Sequence, residues 1–296
     1  MRLSISVTNY SWQDRPLREG LLDVVRVADE GGLHTIWVPD HLAQVDPTVT
    51  AGSDDMLEAY GVLSYLAGRT ERVRLGTLVS NVVLRPPALL ATAVATLDTL
   101  SGGRAWLGVG AGYETPETAD LGLPTLPAQG RFELLEETLQ VVRRMLSGDE
   151  EPFSGQHVRL DRPFLRPLPA HRVPLLVGGT GERRTLRLVA EHADACNLFD
   201  IPDDGVTVRR KLAVLARHCE AVGRSPNEIE NTLSTRLANG ETTEQLVRRC
   251  DAVAGWGIEH LIFVSSSPWT ADTLAVLTRA SATVAGLAPP EPTRSR

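Results

Sequence analysis

Cysteine and lysine are both scarce in this 296-residue chain. Its three cysteines, Cys196, Cys219 and Cys250, lie far apart and form no Cys-x-x-Cys pair. This spacing argues against a disulfide framework and predicts reduced thiols. Cys219 and Cys250 fall on apolar faces of predicted helices, so we expect them in the core and not as nucleophiles. Lys211 is the only lysine, which we interpret as a coding bias of a GC-rich genome.

Basic charge, long apolar runs and metal motifs are also lacking. The formal net charge is −7 and the pI is about 5.6, which argues against binding to nucleic acid or to an anionic membrane. No apolar run of about 18 residues is present, and the chain starts directly on a strand pattern, so we expect a cytoplasmic protein. The histidines other than His41 share no spacing with carboxylates and His-Glu-x-x-His is absent, so no metal site is predicted.

What the chain does contain is an alternation of apolar strands and amphipathic helices. The predicted strands are 3–8, 34–38, 73–80, 104–109, 174–177, 193–198, 229–235 and 259–264. Eight such units favour an α/β fold, a (β/α)8 barrel forming a single domain over 1–288, with an insertion at 148–172 after strand four. Residues 289–296 read as a flexible tail. A doubly wound sheet is the alternative, but its glycine fingerprint is missing after strand one.

Two polar pairs follow predicted strands, where a (β/α)8 barrel places its chemistry. Strand two ends in Asp40-His41. His41 can donate to a ligand or exchange a proton with it, and Asp40 can fix its orientation or hydrogen-bond the backbone. A pair that merely caps the strand is the alternative. Strand three ends in Ser80-Asn81, which either bind the edge of a ligand ring or begin a turn.

Strand four leads into a glycine-rich exit. Gly108, Gly110 and Gly112 alternate, so one face of the strand end carries no side chains and a flat ligand can rest on it. The alternative is a tight turn that requires glycine. Tyr113 and Glu114 follow, and Glu114 is a candidate acid or hydrogen-bond donor, although a polar loop is the simpler interpretation of either residue alone.

Strand five ends in the glycine-rich loop Gly178–Gly181, whose third residue is Thr180. Consecutive backbone N–H groups at the start of a helix bind anions. Arg183 and Arg184 come next and can pair with a phosphate or an acidic tail. The alternative is a solvated helix face with an ordinary cap. The usual phosphate site of barrels lies after strands seven and eight, so this loop departs from that pattern.

Together these stretches resemble the bacterial luciferase-like monooxygenase superfamily. The resemblance is carried by TLDTLSGGRAWLGVGAG at 96–112, by Asp40-His41 and by LLVGGTGERRTLRLVAEHADACN at 175–197, and it covers 3–287. Within the superfamily the chain is most similar to actinobacterial oxidoreductases that use the deazaflavin coenzyme F-420. Members that use FMN share the same motifs, so FMN is the alternative cofactor.

The resemblance implies hydride transfer between coenzyme F-420 and a small organic substrate, in a homodimer, with the insertion as a partial lid. The ring would lie at the barrel mouth with His41 near its reactive face, and a non-prolyl cis peptide within 78–81 would bulge under it. The phosphate would sit on the strand-five loop. The cofactor-binding residues would be Asp40, His41, Ser80, Asn81, Gly110, Gly112, Gly178, Gly179, Thr180 and Gly181. The alternatives are a reduced-FMN monooxygenase and a flavin-binding protein without catalysis.

The chain departs from the F-420-dependent sugar-phosphate dehydrogenases at two positions. Gln44 stands where those enzymes carry a tryptophan, and Tyr113 stands where they carry a glutamate. A sugar phosphate is therefore not the expected substrate. We expect the substrate to be set by Asn9, Tyr10, Trp12, loop 42–53, the insertion 148–172 and Trp269.

Overall fold

The computed structural model describes residues 1–46, 48–49, 55–113 and 116–287. Its strands are β1 Arg2–Ser6, β2 Thr35–Val38, β3 Arg74–Thr77, β4 Ser80–Asn81, β5 Ala105–Gly110, β6 Phe153–Ser154, β7 Arg159–Leu160, β8 Leu175–Gly178, β9 Ala195–Phe199, β10 Glu230–Arg236 and β11 His260–Val264. Its helices are α1 Leu17–Glu30, α2 Ala59–Ala67, α3 Pro87–Ser101, α4 Pro116–Asp120, α5 Ala128–Leu146, α6 Thr185–His192, α7 Val206–Ala221, α8 Thr243–Ala254 and α9 Ala271–Val284.

Eight parallel strands close into a barrel. Their order is β3, β2, β1, β11, β10, β9, β8 and β5, and the pairing of β3 with β5 closes the ring. β4 continues β3 after a two-residue break and pairs with the end of β5. The predicted (β/α)8 barrel is thereby confirmed.

The connections after β5 differ from the sequence-based expectation. Short helix α4 lies between β5 and α5 and was not predicted. The predicted insertion contains the antiparallel pair β6–β7, whose turn is held by Glu137 of α5 through the backbone N–H groups of residues 156–158. The predicted tail at 289–296 lies outside the described residues.

Local signals account for several helix ends. α3 begins with Pro87, whose missing N–H costs nothing at a first helical position, and ends at Gly102, which adopts the left-handed conformation with φ +67°. Thr242 and Gln245 form a capping box at the start of α8. α6 begins only at Thr185, so the whole glycine loop after β8 precedes the helix.

The strands are buried on both faces because helices cover the outside and side chains fill the inside. One layer of the barrel interior consists of Trp37, Trp106, Leu176, Ala195 and Ile262. The two indoles meet edge to face, with centroids 5.6 Å apart. A Cβ at Gly76 would lie 2.8 Å from both of them, so this pair requires glycine on β3. Cys219 and Cys250 are buried, as expected, and Cys196 is buried as well. Among the described residues, no helix is both long and apolar enough to cross a bilayer.

A buried polar cluster lies at the N-terminal end of the barrel, opposite the predicted site. His260 is fully buried. Its Nδ1 is 2.8 Å from Glu230 Oε1 and its Nε2 is 2.5 Å from Ser4 Oγ. Because a carboxylate only accepts and burial lowers the pKa of His260, the ring is neutral and carries its proton on Nδ1. The Ser4 hydroxyl donates to Nε2 and accepts from the Thr35 N–H.

We expect this cluster to make the protein less stable in acid. The ring of His34 meets that of His260 at 5.0 Å, and burial, helped by the neighbouring histidine, lowers the pKa of His34 from 6.5 to about 3. Since the folded pKa is lower, the unfolded chain binds more protons below pH 6.5. The free energy of unfolding should fall from about pH 6.5 towards about pH 3, by at most about 1.4 kcal/mol per pH unit from His34. Urea unfolding at about pH 7 and about pH 4.5 measures this slope; a His34→Gln variant with an unchanged slope would contradict the assignment.

Candidate active site

A cavity of about 520 Å³ opens at the C-terminal ends of the barrel strands. It brings together every predicted cofactor-binding residue, on strand ends that are far apart in sequence: Asp40, His41, Ser80, Asn81, Gly110, Gly112, Gly178, Gly179, Thr180 and Gly181. Glu114, the other predicted catalytic residue, lies outside the described residues. The barrel rule thus predicts the location of the cavity, while the individual contacts differ from those expected.

A bulge between β3 and β4 forms one wall of the cavity. The peptide bond between Leu78 and Val79 is cis and not prolyl, which locates the bond that the resemblance implied within 78–81. Both residues line the cavity and also contact the interior layer of the barrel. The side chain of Val79 is therefore the apolar surface that the bulge presents at this wall.

A chain of three hydrogen-bonded hydroxyl groups holds the bulge. Thr77 Oγ1 is 2.9 Å from the carbonyl oxygen of Gly108 and 2.9 Å from Ser80 Oγ, which is 2.9 Å from the Tyr60 hydroxyl. Because the carbonyl only accepts, Thr77 donates to it, Ser80 donates to Thr77, and Tyr60 donates to Ser80. Burial raises the pKa of Tyr60 to about 12, which keeps its proton in place. The Ser80 hydroxyl therefore fixes the bulge, and a contact between Ser80 and a ligand stays a prediction.

The glycines at the end of β5, which was predicted as strand four, pack against this bulge. A Cβ at Gly108 would lie 1.9 Å from the Thr77 carbonyl oxygen, and one at Gly110 would lie 2.7 Å from Val79 Cγ2. At Gly112 it would lie 2.3 Å from the Asn81 side chain. The side-chain-free face is thus filled by the bulge, which corrects the expectation that it lies bare for a ligand. Gly110 and Gly112 still border the cavity through their backbone.

Asp40 also helps to hold the bulge, and its hydrogen bonds go to Arg85 and Asn81 instead of His41. Its carboxylate accepts two bonds from Arg85, at 2.7 and 2.6 Å, and one from the Asn81 N–H at 3.2 Å. Arg85 also pairs with Glu58 and lies 4.6 Å from the centre of the Tyr60 ring. Asp40 and Arg85 therefore tie the end of β2 to the bulge. Of the two expected roles of Asp40, the backbone hydrogen bond is confirmed and the orientation of His41 is wrong.

Glu117 is the partner of His41. Its Oε1 is 2.7 Å from His41 Nδ1, while its Oε2 accepts the backbone N–H groups of Leu42 and Ala43 at 2.7 and 2.8 Å. Burial by itself raises the pKa of Glu117, but these hydrogen bonds outweigh it and the pKa lies below its usual value. The carboxylate is therefore ionised and 5% exposed. Since it only accepts, Nδ1 carries a proton and Nε2 is the ring nitrogen available to a ligand.

Sequence reasoning missed Glu117 because it lies 76 residues from His41, on a helix that showed no apolar periodicity. The only available signal was a carboxylate in the segment that follows a barrel strand. Tyr113, from the same segment, stands with its ring 5.7 Å from that of His41.

The loop after β8 forms another wall. Gly179 has φ +120°, a conformation that favours glycine, and a Cβ at Gly181 would lie 2.9 Å from Thr185 Oγ1. Within the described part of the chain, the backbone N–H groups of residues 180–184 donate to no protein acceptor. The Thr180 carbonyl accepts from Lys211, which also pairs with Glu182 at 3.0 Å. The loop therefore presents unpaired N–H groups beside a hydroxyl, the arrangement that binds an anion.

The residues expected to set the substrate lie elsewhere. Trp12 donates to the Trp269 carbonyl and the Trp269 indole donates to the Ser6 carbonyl, so both pack behind β1. Neither they, nor Asn9 and Tyr10, nor 148–172 are among the cavity-lining residues, which also argues against the insertion as a lid. Of loop 42–53, residues 47 and 50–53 lie outside the described residues. Further residues that line the cavity and were not predicted include Ser6, Thr8, Asn197, Phe199, Ser234 and Val264.

Fold and site together define a (β/α)8-barrel enzyme with a cavity at its C-terminal mouth. The family model described as luciferase-like monooxygenase matches residues 1–285, and the chain belongs to this family.

Sequence relatives include both types of activity. An F-420-dependent glucose-6-phosphate dehydrogenase of Kineococcus radiotolerans is 30% identical over 229 residues, 76% of this chain and 65% of that protein. A 4-hydroxyprotoasukamycin monooxygenase of Streptomyces nodosus subsp. asukaensis is 29% identical over 259 residues, 83% of this chain and 63% of that protein. The chain thus spans slightly less than two thirds of the length of these relatives.

Solved structures agree on the fold. An F-420-dependent secondary alcohol dehydrogenase in complex with an F-420–acetone adduct has a TM-score of 0.79 at 18% identity, covering 95% of this chain and 98% of that one. A coenzyme F-420-dependent tetrahydromethanopterin reductase from Methanopyrus kandleri has a TM-score of 0.77 at 15% identity, covering 94% and 97%. At these identities the likeness establishes the architecture alone.

Proposed function

We propose that the protein is an oxidoreductase that transfers a hydride between coenzyme F-420 and a small organic substrate. The observation that carries the proposal is the joint placement of the Val79 bulge, the anion-type loop 178–181 and the His41–Glu117 pair around one cavity. Relatives named as F-420-dependent dehydrogenases support the choice of cofactor.

The cavity has the groups that a deazaflavin phosphate requires. Val79 and the backbone of Gly110 offer an apolar wall to the ring, and the free N–H groups of residues 180–184 with the Thr185 hydroxyl suit the phosphate. Arg183 and Arg184 are exposed next to this loop and suit an acidic tail. When bound, the cofactor supplies the hydride chemistry, and the protein supplies position and proton management.

His41 manages the proton in this proposal. With Nδ1–H held by Glu117, the ring presents Nε2 to the cavity as the nitrogen that can exchange a proton. It takes a proton there when the substrate is oxidised and returns it when a substrate is reduced. The ionised Glu117 stabilises the protonated ring, which is the same logic by which a buried carboxylate supports a histidine base in other enzymes.

A reduced-FMN monooxygenase of the same family is the second candidate. The monooxygenase relative at 29% identity favours it, and the bulge and the phosphate loop suit FMN as well. The cofactors of the two candidate functions differ in one feature, the acidic tail, which F-420 has and FMN lacks. The expected homodimer and the single-domain boundary at 288 remain predictions.

Side-by-side titration with F-420 and FMN tests the choice. We expect F-420 to bind at least about tenfold more tightly, because only its tail reaches the two arginines. The double variant Arg183→Ala/Arg184→Ala should lose about tenfold in F-420 affinity and little in FMN affinity. Arg159→Ala, at an exposed arginine on β7, is the matched control. Tighter binding of FMN would overturn the F-420 assignment and favour the monooxygenase.

A further inference from the structure

The carboxylate of Asp40 and the ring of His41 line the cavity, and each already has a charged partner. The described lining of the cavity includes no lysine or arginine. Asp40 is neutralised by Arg85 at 2.6 Å, and His41 is held by Glu117 at 2.7 Å. A substrate that carried a charge to this wall would lose its hydration without gaining a partner, which is costly.

Two cations beyond the lining, on β10 and α7, are engaged as well. Arg236, the last residue of β10, pairs with Asp46 at 2.9 Å. Lys211 pairs with Glu182 and donates to the loop carbonyl described above. On the far side of the mouth the chain continues from Phe199 into three aspartates at 200, 203 and 204. The rim next to β9 and β10 is therefore unfavourable to anions.

Exposed aromatic rings flank the cavity instead. Tyr113 is 55% exposed and Phe199 is 55% exposed, although both line the cavity. In the barrel order, β9 with Phe199 lies four strands from β2 with His41, so the phenyl ring stands across the mouth from the imidazole. Large apolar side chains that stay exposed at the rim of a cavity are typical of a surface that a ligand covers.

Ser6, on β1, offers one neutral polar group to such a ligand. It lines the cavity beside the strand of His41, and within the described part of the chain its buried hydroxyl has no hydrogen-bond partner. Two other polar residues of the lining are already bonded, since Ser234 donates to Asn197 and Asn197 donates to Thr232. Buried hydroxyls are rarely left unpaired, so Ser6 marks a position for one hydroxyl or carbonyl of a ligand.

We propose that the substrate is an uncharged, largely apolar molecule with a single hydroxyl or carbonyl near His41 and Ser6, packed against Tyr113 and Phe199. This proposal rests on the proposed function and adds the substrate class to it. With the N–H groups of the loop after β8 taken by the cofactor phosphate, it excludes phosphorylated and carboxylated substrates, since the described lining holds no lysine or arginine.

The test compares two probes that differ by one carboxylate, 4-phenylcyclohexanone and 4-(4-oxocyclohexyl)benzoate, for binding to the F-420-loaded protein. We expect the neutral ketone to bind at least about 30-fold more tightly, because the carboxylate finds no cation. Phe199→Lys should reduce this ratio at least about tenfold by supplying one. Phe199→Leu, the matched apolar control, should preserve the preference.

The outcomes separate the two levels of the proposal. Equal or tighter binding of the carboxylate by the wild type overturns the substrate class, as does failure of the neutral probe to bind. An unchanged ratio in Phe199→Lys, with F-420 affinity preserved as proof of folding, shows that Phe199 does not border the substrate and overturns the placement. Failure of the wild-type protein to bind F-420 overturns the proposed function instead.

Discussion

Replacing Glu117 by glutamine should lower turnover by about 100-fold or more while leaving cofactor affinity within about threefold. The reason is the direction of each hydrogen bond. In the native protein one carboxylate oxygen faces two backbone N–H groups and the other faces His41 Nδ1. Glutamine must turn its carbonyl oxygen to the two N–H groups and its NH2 to the imidazole. His41 then has to accept on Nδ1 and carry its proton on Nε2, where the base is needed.

The pH dependence distinguishes this positioning role from a merely structural one. A structural defect lowers turnover equally at every pH, whereas loss of the carboxylate removes the charge that stabilises protonated His41. The shape of the pH–rate profile should therefore change in Glu117→Gln, whereas a structural defect leaves it unchanged. The ¹⁵N shifts of His41 should report the change of tautomer directly.

A second glutamate–histidine pair provides the control. Glu133 lies 3.0 Å from His157, on the outer side of α5, and Glu133→Gln should leave turnover unchanged. His41→Ala should cost as much as Glu117→Gln, and the double variant should cost little more, because both remove the same base. Native-like turnover in Glu117→Gln would refute the role of the pair.

The barrel and its cavity followed from the sequence because both depend on local periodicity and on one topological rule. Eight alternations predict the barrel, and the rule then places Asp40-His41, Ser80-Asn81 and the loop 178–181 on one rim. The hydrogen-bond partners of the site residues could not be predicted in this way. His41 was assigned to its chain neighbour Asp40, but which carboxylate reaches it depends on how the segment after β5 folds back, and no periodic pattern encodes that path.

The glycines show the same limit. Their alternation reveals that one face of β5 has no side chains, and this was correct. What fills that face depends on the path of the bulge between β3 and β4, more than 25 residues earlier in the chain. The sequence therefore predicts a face without side chains but not the side chain that packs against it, which is that of Val79.

The glycines at the bulge should respond to substitution in two distinct ways. Gly108→Ala should destabilise the fold most, by about 3 kcal/mol or more, because its Cβ would lie 1.9 Å from a backbone carbonyl. Gly110→Ala should cost about 1–2 kcal/mol, since its Cβ meets only Val79 Cγ2 at 2.7 Å. Neither residue has positive φ, so the expected costs are steric. Urea unfolding of the cofactor-free protein measures them.

Truncation of Val79 should rescue one variant and not the other. In a Val79→Ala background the contact at Gly110 disappears, so Gly110→Ala should become nearly neutral, whereas Gly108→Ala should keep its full cost because Thr77 O belongs to the backbone. A double-mutant cycle gives the coupling energy. Gly68→Ala, whose Cβ would meet nothing closer than 3.8 Å, controls for the general effect of alanine at glycine positions. If Val79→Ala fails to rescue Gly110→Ala, Val79 does not fill this face, and the glycines again form an open wall against which a flat ring can lie.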